Sequence, residues 1–99
     1  MNAPVIHRPI LKQHVEDVER LFPIRILGQL PRGSAGHIDE NDANALEFLA
    51  ESRPGLTLID HAGAEVELGD RLGRRVGIVL LGGLKGREAE EFPKLARPL

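Results

Sequence analysis

The sequence predicts an α+β fold, in which a small, mainly antiparallel sheet of about three to four strands packs against two helices and a short C-terminal helix follows. Three observations carry this prediction. Apolar residues near the N-terminus have helical spacing, two middle segments alternate apolar and polar residues, and 76–81 is continuously apolar. Since 99 residues can bury one modest core, we expect a single domain over 1–99, with an extended arm at 1–8 and a C-terminal tail at 93–99.

The first helix has the clearest pattern. Leu11, Val15, Val18 and Phe22 follow one another at spacings of 4, 3 and 4 residues, so they share one helical face. Pro23 has no N–H to donate to a helical hydrogen bond, and the helix is expected to end there.

A strand and a second helix are predicted next. Residues 24–30 alternate apolar and polar side chains, which indicates a strand. After a polar loop, Leu46, Leu49 and Ala50 have the spacing of one helical face. That helix is expected to be capped by Asp39, Asn41 or Asp42.

The segment after it predicts a hairpin and then a central strand. Residues 56–60 and 64–68 alternate like the two strands of a hairpin, with the turn at Gly63. The apolar run 76–81 is typical of a strand covered on both faces, and we expect it near the centre of the sheet. The short C-terminal helix is expected to end at Pro93.

The stretch TLIDHAGAEVELGDRLGRRVGIVL is similar to the opening hairpin and first core strand of peroxiredoxins and related thioredoxin-fold proteins. The matching positions are Asp60, Gly63, Val66, Leu68, Asp70, Gly73, Arg74, Arg75 and Val76. The resemblance implies a hairpin followed by a buried strand. The reactive cysteine of that family has no counterpart here, so the stretch is interpreted as scaffold and peroxidase activity is not expected.

Composition restricts the classes of function. The chain has no cysteine, which excludes disulfides, cysteine-based zinc sites and thiol catalysis. Its formal charge of -2 makes nucleic acid an unlikely partner. No apolar run has membrane-spanning length and the N-terminus lacks a signal-peptide pattern, so we expect a cytoplasmic protein that does not contact a membrane.

Basic residues near the apolar run are the best candidates for a contact surface. Arg71, Arg74 and Arg75 precede the run, and Lys85 and Arg87 follow it. Arginine suits phosphate or carboxylate recognition, and we expect this set to bind a larger partner protein. The glycines in 82–86 suit either an anion-binding loop or a tight turn, and the turn is favoured because the spacing matches no phosphate-binding motif.

Catalytic and metal-binding residues are not expected. His37, Asp39, Glu40 and Asp42 gather metal-capable side chains, but their spacing fits no known loop of that kind. Ser34 lies three residues before His37 without a third group to complete a nucleophilic site. No cofactor-binding motif is found either.

The sequence therefore favours a non-catalytic interaction protein, an accessory or regulatory factor of a bacterial-type cytoplasm. Two alternatives stay open: a winged-helix DNA-binding regulator, and a small-ligand or metal-binding domain. A homodimer is also conceivable, because 24–30 or 56–60 could pair between copies as edge strands.

Overall fold

The computed structural model describes residues 6–36, 38–39 and 41–99. In chain order the elements are α1 (Arg8–Leu21), β1 (Ile24–Leu30), β2 (Leu46–Ser52), α2 (Leu58–Leu72), β3 (Val76–Leu80), a 3₁₀ turn (Leu81–Gly83) and α3 (Arg87–Leu95). The α+β fold class, the small sheet and the short C-terminal helix are confirmed. Most of the predicted N-terminal arm, residues 1–5, lies outside the described residues.

The sheet is mixed, with strand order β1-β2-β3. β1 and β2 are antiparallel, whereas β2 and β3 are parallel and are joined by the crossover helix α2. β2 is therefore the central strand. The expectation that the 76–81 run would be central is wrong, because β3 lies at an edge and obtains its cover from a helix and a loop instead of from a second neighbouring strand.

The main core lies between the sheet and helices α1 and α2. Leu11, Val15 and Val18 point inward from α1, as their spacing predicts. The other buried members are Ile24, Ile26, Phe48, Ala50, Ala64, Leu68, Val76 and Ile78. Burying such aliphatic side chains stabilises a fold by roughly 1.5–3 kcal/mol each before entropy is counted.

β2 replaces the second helix that the sequence predicts. Leu46, Leu49 and Ala50 do have helical spacing, but the run 47–50 is buried on every residue because both faces of the central strand are covered. A short apolar run of this kind fits a buried strand as well as a helix. Tertiary burial decided between them.

α2 replaces the predicted hairpin, and the hairpin expectation is wrong. Ala64 and Leu68, one helical turn apart, are fully buried, whereas Leu58 and Val66 are 87% and 62% exposed. The alternation of apolar and polar residues over 56–68 therefore does not mark one buried face of a strand, because its apolar residues lie on both the buried and the exposed sides of one helix. No wing-like hairpin exists at 56–68, and the peroxiredoxin-like hairpin is equally absent there.

Local signals for α2 are present at both of its ends. Thr57 Oγ1 accepts the amide hydrogen of Asp60 at 3.1 Å, and the Asp60 carboxylate accepts the amide hydrogen of Thr57 at 3.2 Å. The two hydrogen bonds form a capping box. At the other end Gly73 adopts the left-handed conformation, with φ of 68°, that ends many helices.

Replacing Thr57 with alanine is expected to lower the free energy of unfolding by about 1 kcal/mol, because one amide at the start of α2 loses its acceptor. Chemical denaturation measures the change. Ser52→Ala, which removes an exposed hydroxyl at the end of β2, is the matched control and should stay within about 0.5 kcal/mol of the natural chain. Equal stability of the two variants would contradict the role of the capping box.

The C-terminal residues complete the β1 side of the molecule. α3 continues through Pro93 to Leu95, so the expectation that Pro93 ends the helix is wrong. The tail then forms an antiparallel bridge in which Gln29 and Arg97 exchange backbone hydrogen bonds of 2.9 and 2.8 Å. The tail thereby covers part of the outer edge of β1.

Helix side chains contact the outer edges of the sheet as well. Glu19 accepts the amide hydrogen of Ile26 in β1 at 2.8 Å. On β3, Glu65 accepts the amide hydrogen of Ile78 at 2.7 Å, and His61 Nε2 lies 2.7 Å from the Ile78 carbonyl oxygen. Polar partners on an edge strand leave fewer groups for pairing with another chain.

In the part of the chain that the structure describes, the helices are all too short or too polar to cross a membrane.

Candidate functional site

The second face of the sheet, opposite α1 and α2, is covered by the described residues of the β1–β2 connection, 31–36, 38–39 and 41–45. The side chain of Glu47 on the central strand holds this segment. It is 1% exposed, and its carboxylate accepts amide hydrogens from Gly33, at 2.5 Å, and from Ala35. A buried carboxylate that lacked such donors would be strongly unfavourable, so the turn at 33–35 and Glu47 stabilise each other.

A small apolar cluster seats the same segment on β3. Ala35, Ile38 and Ala45 are buried together and pack against Val79. Gly77 makes the close approach possible, because a Cβ at this position would lie 2.9 Å from Ile38 Cγ1 and 3.0 Å from Ala35 Cβ. Glycine is therefore required at 77 for the connection to lie flat on the sheet.

An open cleft of about 590 Å³ lies between this connection and α2. Its lining residues are Ile38, Glu65, Val66, Gly69, Asp70, Gly73, Arg74, Arg75 and Val76. The volume falls within the range of small-molecule sites, roughly 300–1,000 Å³. The lining thus includes apolar residues, two arginines and two acidic residues, and the Glu65 carboxylate also accepts the amide hydrogen of Ile78.

Two of the five basic residues singled out from the sequence lie at this cleft. Arg74 and Arg75 precede β3 and line the cleft. Lys85 and Arg87 follow β3, whose five residues span about 16 Å, and neither lines the cleft. The structure thus places two of the five residues at the cleft.

Arg71 connects the two helices. Its guanidinium donates to Glu67 at 2.9 Å within α2 and to Asp17 of α1 at 3.1 Å. Ion pairs at this degree of exposure contribute at most about 1 kcal/mol, so Arg71 orients the helices more than it stabilises them. Arg87 lies near Glu91 of its own helix, with 3.8 Å between their charged atoms.

A smaller cleft, about 360 Å³, borders the other end of β3. Ser34, His61 and Phe92 are among its lining residues. The Ser34 hydroxyl donates to the Pro31 carbonyl at 2.6 Å and thereby stabilises the turn. The hydroxyl of Ser34, which lies near His37 in the sequence, therefore has a structural role in this turn.

Asp39 and Asp42 of the connection accept hydrogen bonds from nearby backbone amides. Asp39 accepts the amide hydrogen of Asn41 and Asp42 that of Asn44, at 2.9 and 3.0 Å. His37 and Glu40, the other two members of the predicted metal-capable group, lie outside the described residues. Among residues 6–36, 38–39 and 41–99, no three His, Cys, Asp or Glu side chains come together as a metal ion would need.

Sequence reasoning missed Glu47 and Gly77. A charged residue inside the apolar run LEFLA is the signal that could have identified Glu47, because a glutamate between apolar residues of a buried strand needs a partner. Gly77 had a weaker signal, a glycine inside an apolar strand, which often marks a close approach of another segment.

Comparison with known proteins gives one informative result. No protein family matches the chain, and no curated protein sequence matches it. A solved structure described as a proposed minimal nucleotidyltransferase is similar to this chain with a TM-score of 0.63 and 29% identity. The alignment covers 98% of this chain and 100% of that one.

This similarity corrects the functional interpretation. It points to an enzyme fold, so the prediction of a non-catalytic accessory or regulatory protein, and with it the expectation of no enzyme activity, is contradicted. The physical reason for the error lies in the misread helix and hairpin. With those elements assigned incorrectly, the arrangement of β2, α2 and β3 could not be recognised from the sequence.

Proposed function

We propose that this chain is a nucleotidyltransferase that binds a nucleoside triphosphate in the cleft beside Arg74 and Arg75. The observation that carries the proposal is the similarity over practically the whole chain to a structure described as a minimal nucleotidyltransferase. Similarity over this length includes the sheet, the crossover helix and the segment that borders the cleft.

The cleft has groups for each part of a nucleotide. Arg74 and Arg75 are suited to the phosphates, because guanidinium groups pair with two phosphate oxygens at once. Ile38 and Val66 offer apolar contact to a base. Asp70 lies on the helix side, where it can accept hydrogen bonds from the hydroxyl groups of the sugar.

The reaction follows from the class of enzyme. An oxygen of the acceptor attacks the α-phosphorus, a new P–O bond forms, and the bond from the α-phosphorus to its bridging oxygen breaks. Pyrophosphate leaves with the electron pair of that bond, and the acceptor's proton passes to solvent. Positioning and charge neutralisation supply most of the catalysis in phosphoryl transfer, and Arg74 and Arg75 at the cleft are suited to both.

The proposal is tested by incubating the purified chain with Mg²⁺ and each of four α-³²P-labelled nucleoside triphosphates. The candidate acceptors are the chain itself, small alcohols and RNA. We expect label to move to an acceptor together with stoichiometric pyrophosphate. In a parallel assay, equilibrium dialysis should show nucleotide binding. Lack of both binding and transfer for all four nucleotides would refute the proposal.

Other expectations from the sequence stay predictions. They include a cytoplasmic location, the expectation that nucleic acid is not a partner, a larger partner protein and a homodimer. A binding assay with labelled RNA and light scattering of the purified chain would examine two of them directly.

A further inference from the structure

Glu47 is the most deeply buried charged residue among the described residues, and it lies on the face of the sheet that borders the cleft. Its Oε2 accepts from Gly33 and its Oε1 from Ala35. Both carboxylate oxygens are thus used by the backbone of one turn. The residues of that turn are followed by Ile38, which is part of the cleft wall.

Gly77 is the neighbour of Glu47 across the β2–β3 pairing. It carries no side chain, and the space above it is filled by Ala35 and Ile38. One side of the β1–β2 connection is therefore held by charged hydrogen bonds and the other by apolar contact. The position of Ile38 in the cleft wall depends on both.

A divalent cation is what phosphoryl-transfer enzymes of the polymerase type ordinarily use. Mg²⁺ prefers oxygen ligands in a near-octahedral arrangement, with one or two protein carboxylates besides substrate phosphates. Glu47 has both oxygens committed to amides, its cross-strand neighbour is glycine, and no group of three metal-capable side chains exists in the described part of the chain. These residues do not fit a resident cation site.

We propose that Glu47 is a positioning residue, not a metal ligand: it seats the Gly33–Ala35 turn and so fixes the wall of the nucleotide cleft. The described residues form no cation site of their own, and these residues are expected to bind a divalent cation only when a nucleoside triphosphate is present. The role in the cleft rests on the proposed function, whereas the absence of cation binding does not.

The first experiment titrates nucleotide-free protein with Mn²⁺ and follows free Mn²⁺ by electron paramagnetic resonance. We expect no saturable binding tighter than about 1 mM, in the natural chain or in Glu47→Gln. Saturable binding of one Mn²⁺ to the natural chain that is lost in Glu47→Gln would overturn the proposal. Since no nucleotide is present, this result is independent of whether the chain is a nucleotidyltransferase.

The second experiment measures amide hydrogen exchange in Glu47→Gln. The neutral side chain has one acceptor oxygen in place of two, so exchange at Gly33 or Ala35 is expected to accelerate about 10-fold or more. Glu51→Gln, on the same strand but half-exposed, should leave both amides unchanged. Unchanged protection in Glu47→Gln would show that the carboxylate does not hold the turn.

Nucleotide affinity separates positioning from general destabilisation. Glu47→Gln is expected to raise the Kd for a nucleoside triphosphate several-fold, while Thr57→Ala, which weakens the fold elsewhere, should not. An equal loss in both variants would overturn the positioning role. If the natural chain binds no nucleotide, the proposed function fails, and the Mn²⁺ and exchange results still decide the role of Glu47. Should Glu47→Gln not fold, Gly77→Ala disturbs the same turn from its apolar side.

Discussion

The double variant Arg74→Ala/Arg75→Ala is expected to bind a nucleoside triphosphate about 100-fold more weakly than the natural chain. A hydrogen bond to a charged group contributes about 1.5–3 kcal/mol, so each arginine should account for about a 10-fold change in Kd. Both residues line the cleft, and the loss follows directly if their guanidinium groups contact the phosphates. Isothermal titration calorimetry at fixed ionic strength measures the change.

The matched control removes two positive charges elsewhere. Arg53 and Arg87 are both exposed, and neither lines the cleft. Arg53→Ala/Arg87→Ala therefore changes the net charge equally, and its Kd should stay within about 3-fold of the natural value, since exposed charges at a distance are screened by salt. Equal losses in the two double variants would show that the arginines act only through net charge, and no loss in either would place the nucleotide elsewhere.

Gly77→Leu is expected to lower the free energy of unfolding by about 1–3 kcal/mol, and to open the β1–β2 connection before the core is affected. Even the first atom of the new side chain would lie 2.9 Å from Ile38 Cγ1 and 3.0 Å from Ala35 Cβ. The connection must move away, because the backbone of β3 is fixed by its pairing with β2. Denaturant titration gives the total effect, and amide exchange at Gly33 and Ala35 shows where the structure opens.

Gly82→Leu is the control for this prediction. A Cβ at Gly82 would meet no atom within 4 Å, so the same substitution five residues later should change stability by no more than about 0.5 kcal/mol. If Gly77→Leu were as stable as Gly82→Leu, the tight contact between Gly77 and the connection would not exist in solution.

Elements with a local signal were predictable from the sequence. The spacing of Leu11, Val15 and Val18 gave α1, and the alternation of 24–30 gave β1, because each element buries one face and shows the period of that face. The capping box at Thr57 and the glycine at 73 also lie in the sequence. These two signals mark the start and the end of α2. The apolar residues between them alternate, and this alternation led to the incorrect prediction of a hairpin.

The α+β class, α1, β1 and the strand at 76–80 could all be predicted from the sequence. Tertiary contacts were needed to show which strand is central, that 46–52 is a strand, and that Glu47 holds the turn at 33–35. The Glu47 carboxylate accepts hydrogen bonds from amides that lie 14 and 12 residues earlier in the chain. Ile38, which precedes β2 in the chain, packs over Gly77 of β3. Backbone preference and periodicity act over a few residues, whereas the partner of a buried carboxylate and the space above a glycine are set by segments that only folding brings together.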